Sequence, residues 1–113
     1  MVVELPIAED DLDQVLRALA DTTRRDILRR TMGGVASVSA LASLYTMSFA
    51  AVQKHVAVLE AAGLVRKEAR GRERLVRAEP ARVAQAREAL ARLEQLWRHR
   101  FDRLDTILDE PQE

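Results

Sequence analysis

Eight apolar residues near the C-terminus, Val83, Ala86, Leu90, Leu93, Trp97, Phe101, Leu104 and Leu108, follow one another at steps of 3, 4, 3, 4, 4, 3 and 4. Kept up for more than three heptads, this rhythm is that of one continuous amphipathic helix. Pro80 stands where such a helix would open, in the first turn that tolerates proline. At 1.5 Å per residue the helix spans about 40 Å, more than one small domain can cover. A chain of 113 residues has room for one ordinary domain, so the stripe is predicted to pack on a second copy of the chain. Leu12, Val15, Leu16 and Leu19, at i, i+3, i+4 and i+7, form a second stripe near the N-terminus and are its expected companion.

The net charge is zero, but the charges are segregated. Residues 1–13 carry five acids and no base, and residues 102–113 carry five acids against Arg103 alone. Between them, residues 48–77 hold seven bases (Lys54, Arg66, Lys67, Arg70, Arg72, Arg74, Arg77) and three acids (Glu60, Glu68, Glu73). Both ends are acidic and the centre is basic, which suits a local anion-binding surface rather than a uniformly basic coat. No cysteine is present, which excludes disulfides, thiolate metal sites and cysteine nucleophiles. The acidic start is the wrong charge for a secretory or transit peptide, so a cytoplasmic location is expected. Residues 31–53 carry no charge, yet Gly33, Gly34 and scattered hydroxyls read as soluble helices broken by turns rather than a membrane span.

Along the chain, the first helix is expected over 11–20. Asp21 caps a second, with Ile27 and Leu28 inward, Arg24, Arg25, Arg29 and Arg30 outward, and Gly33-Gly34 as its stop. Ser39 is expected to cap a short apolar segment, Ala40 to Leu44. Ser48 then caps a longer run to Ala62, and Gly63 ends it. Two helices joined by so short a turn make a helix-turn-helix, placed at 39–62. Leu64 to Ala69 and Glu73 to Ala78 flank Arg70-Gly71-Arg72 and read as a β-hairpin over 64–78, its basic tip turning at the glycine. The predicted fold is mainly α with a small β-hairpin wing, in the order helix, helix, helix-turn-helix, hairpin, long helix: a single winged helix-turn-helix domain over 1–113, with dimerisation helices at 11–20 and 81–108.

On a helical wheel, Val52, Val56 and Leu59 share one side of the second helix of the helix-turn-helix and must face the core. Ser48, Phe49, Ala50, Ala51, Gln53, Lys54 and His55 are its candidate DNA-contacting residues. Small residues let the backbone approach a groove, Gln53 has the amide that pairs with an adenine edge, and Lys54 suits a phosphate or a guanine. His55 lies towards the core side, which suits packing or a phosphate contact. Arg70, Arg72 and Arg74 at the hairpin tip suit phosphates or the minor groove. The partner so implied is double-stranded DNA.

These residues carry a family resemblance. Ala18-Leu19-Ala20-Asp21-Thr22-Thr23-Arg24-Arg25-Asp26-Ile27-Leu28 resembles the junction of the first two helices of ArsR-type bacterial repressors, and Ser37-Val38-Ser39-Ala40-Leu41-Ala42 the start of their helix-turn-helix. Met47 to Val65 is similar to their recognition helix and its exit, and Gly71-Arg72 to their wing tip. The resemblance implies a homodimer, built on the first and last helices, that binds a pseudo-palindromic operator and represses transcription. Leu12, Val15, Leu16, Leu19, Leu90, Leu93, Trp97, Phe101 and Leu104 would then form the interface.

The chain departs from the family at Thr22 and Ala50, where proline is frequent, and at Val56, where leucine is usual. The family's metal-sensing cysteine pair is absent, the matching stretch being Val38 to Ala42. Its last-helix metal set is incomplete, since His99 and Asp102 face Ala86 and Glu88 at the early positions. No metal, cofactor or effector is therefore assigned. An enzyme is not expected: the two histidines, His55 and His99, lack a nucleophile or paired acids around them, and there is no phosphate-binding loop. The alternative is an architectural DNA-binding or protein-interaction module without a specific operator. The basic centre favours DNA, and the small exposed face of the second helix favours a groove.

Overall fold

The computed structural model describes residues 6–109; the acidic residues Glu4, Glu110 and Glu113, and the outermost residues of the expected 1–113 domain, lie outside them. The elements run α1 (Glu9–Leu19), α2 (Thr22–Met32), β1 (Ala36–Ser37), α3 (Val38–Ala42), α4 (Phe49–Ala61), β2 (Val65–Arg70), β3 (Glu73–Ala78) and α5 (Pro80–Asp109). Glu9, Asp10 and Asp11 in the first turn of α1 and Arg17 in its last complement the helix dipole. Asp21 caps α2 by accepting the Arg24 amide at 3.0 Å, and Thr22 takes the first helical position.

Ser48 caps α4 by accepting the Ala51 amide at 3.1 Å. At the other end, Gly63 takes φ +77°, its amide donates to the Glu60 carbonyl (2.9 Å), and the Leu64 amide donates to that of Leu59 (3.0 Å). This is a Schellman ending, with fully buried Leu59 and Leu64 as its apolar clasp. A Cβ on Gly63 would meet only the flexible end of Arg82, at 2.8 Å from its Nε, so it is the backbone angle that demands glycine there.

β2 and β3 pair antiparallel from Val65↔Ala78 to Arg70↔Glu73, closing on Gly71-Arg72. Gly71 alone has positive φ in that two-residue loop (+63°), the pattern of a type II′ turn. Beyond the expected hairpin, β1 adds a third strand through Ala36↔Val76 and Ser37↔Leu75, giving the order β1-β3-β2. This strand also corrects the start of the helix-turn-helix. Ser37, not Ser39, caps α3, accepting the Ala40 amide at 3.0 Å. Leaving a strand at Ser37 lets Val38 and Leu41 turn inward and leaves Ser39 exposed.

Val52, Val56 and Leu59 of α4 are fully buried against Ile27, Leu41, Leu64 and Val76. α5 joins this core only through its first turns, at Val83, Ala86 and Ala89, and then leaves it. The result is an elongated molecule of 76 × 28 × 22 Å.

The N-terminal stripe divides between two fates. Leu12 and Val15, expected at a subunit interface, are buried in the chain's own core, Leu19 packs against that core, and Leu16 remains 42% exposed. The cause is that α1 lies across α2 and α4, which cover most of its apolar side.

Candidate nucleic-acid interface

Burial of Val52, Val56 and Leu59 fixes the rotation of α4 and turns Phe49, Ala50, Gln53 and Lys54 to solvent, with Ala51 at the margin. Its first turn contains no acid, so the positive end of the helix dipole is unopposed there. The wing tip is equally open, with Arg70, Arg72 and Arg74 all exposed.

Ion pairing sorts the seven bases of residues 48–77 into two groups. Arg66 Nη2 lies 3.3 Å from Glu68 and its Nε 3.1 Å from Glu79, Arg77 Nε lies 3.4 Å from Glu68, and Lys67 Nζ lies 3.5 Å from Glu60. Arg66 and Arg77 are direct cross-strand neighbours, and Glu68 between them relieves what would otherwise be a like-charge pair. Lys54, Arg70, Arg72 and Arg74 form no ion pair among the described residues. Three bases are thus neutralised at the base of the wing, while four stand free on α4 and the wing tip.

His55 behaves differently from its neighbours on α4. It is half-buried, its Nδ1 lying 3.4 Å from Arg24 Nη1 and 3.9 Å from Asp21 Oδ1. Asp21 is held below the usual carboxylate range, chiefly by the Arg24 amide and further by the His55 and Arg24 charges, against a smaller opposing effect of burial. Arg24 and Arg25, expected to point outward, reach back to the C-terminus of α1. Arg24 Nε donates to the Ala18 carbonyl (2.7 Å) and Nη2 to that of Arg17 (3.1 Å), and Arg25 Nη1 donates to that of Leu19 (2.7 Å). They satisfy carbonyls that the helix end leaves open. A pair of arginines just after a helix cap was the available sign, and read by itself it looks like a solvated face.

A second polar link anchors the turn between α3 and α4. Tyr45 donates its hydroxyl to Asp26 Oδ2 at 2.5 Å, and Arg30 Nε donates to the same oxygen at 2.8 Å. These contacts hold the Asp26 carboxyl below its ordinary range, the tyrosine hydroxyl contributing most. Burial, then Asp26, pushes the Tyr45 phenol up to about 12.

On α5, Leu90, Leu93, Trp97, Phe101 and Leu104 are all exposed along one face, Trp97 by 63%, and Ile107 and Leu108 extend the apolar surface. Trp97 and Phe101 stack with ring centroids 5.6 Å apart. His99 and Asp102 are exposed on the same helix, and among the described residues no three His, Cys, Asp or Glu side chains gather at one point. No helix of the described residues is long and apolar enough to cross a membrane.

A helix-turn-helix domain family matches residues 19–68. An ArsR family transcriptional regulator of known crystal structure is 34% identical, with a TM-score of 0.75 over 81% of this chain and 95% of that one. An ArsR-like transcriptional regulator from Rhodococcus sp. RHA1 is 32% identical, with a TM-score of 0.80 over 90% of this chain and 96% of its own. A homodimeric winged helix-turn-helix DNA-binding domain from Mycobacterium bovis is 25% identical, with a TM-score of 0.58 and coverage of 91% and 89%. None of the curated proteins is significantly similar in sequence. Shared helix order, shared wing and identity above 30% across nearly the whole of two such regulators lead to one conclusion: this chain belongs to the ArsR family of DNA-binding transcriptional regulators.

Proposed function

We propose that the protein is a homodimeric repressor that binds a pseudo-palindromic operator, each protomer laying α4 in a major groove and its wing beside the adjoining backbone. The observation that carries this reading is the division of the basic residues. Lys54, Arg70, Arg72 and Arg74 are free of internal ion pairs on the two elements that would meet DNA, whereas Arg66, Lys67 and Arg77 behind them are neutralised. Gln53 reads a base edge, Lys54 meets a phosphate or a guanine, and the wing arginines supply phosphate or minor-groove contacts. Ser48 sets the start of the helix, and Ala50 and Ala51 keep its face low. His55 acts from the flank, tied to Asp21 and Arg24.

Dimerisation is supported by the exposed α5 face and by the homodimeric relative from Mycobacterium bovis. Of the N-terminal stripe, Leu16 is the residue with surface left to offer. A two-fold assembly reads two inverted half-sites, hence the palindrome. Selection from random duplexes followed by footprinting tests the reading. A bounded, inverted-repeat footprint is expected, and protection spreading evenly along any DNA would instead mark an architectural protein.

A further inference from the structure

The four aromatic rings of the chain differ in their surroundings. Tyr45 is half-buried and bonded to Asp26, while Trp97 and Phe101 stack on each other on α5. Phe49 stands apart from all of them, 47% exposed, as the first residue of α4 directly after the Ser48 cap. One exposed apolar residue is ordinary on a protein surface. Its position is not ordinary, because winged helix-turn-helix proteins present the N-terminal residues of this helix to base edges. Gln53 follows at i+4, about 40° round the helix, so ring and amide share one flank.

A phenyl ring has nothing to exchange with the hydrogen-bonding groups of the major groove. The one apolar group displayed there is the C5-methyl of thymine. We propose that Phe49 packs on a thymine methyl in each operator half-site, close to the base pair met by Gln53. The inference rests on the DNA-binding reading above and adds to it a base that this chain selects. With Ala50 beside the ring and no acid in the turn, neither bulk nor charge holds the ring off the groove floor.

The test uses the full chain and an operator selected from random duplexes. Each thymine of the half-site is replaced in turn by deoxyuridine, which removes the methyl and leaves every hydrogen-bonding group. At one position per half-site the wild type is expected to lose about four-fold in affinity, the worth of one buried methyl. Phe49→Ala should bind the thymine and deoxyuridine duplexes equally, Phe49→Leu should retain part of the discrimination, and Gln53→Ala should keep all of it. A wild type indifferent to the methyl at every position, or a Phe49→Ala protein that still discriminates, overturns the Phe49 contact and leaves operator binding standing. Failure to enrich any sequence overturns the DNA-reading assignment itself, and this inference with it.

Discussion

Arg24 Nη1 stands 3.4 Å from Nδ1 of His55, so a side chain of α2 that also closes the end of α1 touches the flank of α4. One guanidinium therefore joins the N-terminal helix to the helix proposed to enter the groove. Arg24→Ala should lower unfolding free energy by about 1–3 kcal/mol, since it opens the carbonyls of Arg17 and Ala18 together. Arg24→Lys should recover only part, because an ammonium lacks the fork that reaches the Ala18 and Arg17 carbonyls together. Urea unfolding at neutral pH checks both, and a fully stable alanine variant would show the contacts to be decorative.

Neutralising a free base and a paired base should have different consequences. Arg72→Ala is expected to weaken binding to all sequences and lower the salt slope by about 0.9 for the lost phosphate. Arg66→Ala, whose partners are Glu68 and Glu79, should leave the slope nearly unchanged. Gln53→Ala should instead alter preference at one base pair per half-site, by about 1–3 kcal/mol. Titrations over a series of salt concentrations, on selected and scrambled duplexes, separate the three.

Truncation on α5 and on α1 should divide assembly from folding. Trp97→Ala is expected to weaken self-association by about 2–5 kcal/mol while the protomer keeps its fold. Leu12→Ala, 3% exposed within the core, should cost a similar amount in protomer stability. Sedimentation against concentration together with thermal melting distinguishes them, and a wild type that sediments only as a 12.7 kDa species would remove the dimer.

The Tyr45–Asp26 bond predicts a signed pH dependence. Because the folded protein holds the Asp26 carboxyl below its usual 3.8, this stabilisation is present above that value and is lost as pH falls through the depressed one. Tyr45, raised to about 12, contributes stability that is complete below pH 10 and is lost as pH rises through about 12. Tyr45→Phe removes the largest cause of the Asp26 shift, so wild type and variant should differ most between these limits and converge on acidification. Denaturation midpoints measured across pH show whether the gap closes at both ends.

Much of the fold is written in local chemistry. The hydroxyl of Ser48, the carboxylate of Asp21 and the glycines at 63 and 71 act within a few residues of themselves, so their roles as caps and turns are legible without a neighbour. The spacing of Val52, Val56 and Leu59 likewise sets the rotation of α4, and with it which residues face outward. Strand β1 is different, since two residues carry no periodicity and Ala36 and Ser37 are a strand only because Val76 and Leu75 stand opposite. Once that pairing exists, the helix cap moves from Ser39 to Ser37.

Two apolar stripes, at residues 12–19 and 83–108, and a cluster of bases between them are legible in the order of residues alone. What covers each stripe, and which bases find a partner, follows from how the elements pack. Periodicity records that one side of a helix is apolar, but burial of Leu12 and Val15 within the chain and exposure of Trp97 and Phe101 outside it depend on where α2 and α4 happen to lie. Charge works in the same way: the order of residues puts Arg72 at a hairpin tip and Arg66 on a strand, but it is the carboxylates of Glu68 and Glu79, brought within reach by the fold, that pair Arg66 while Arg72 stays unpaired.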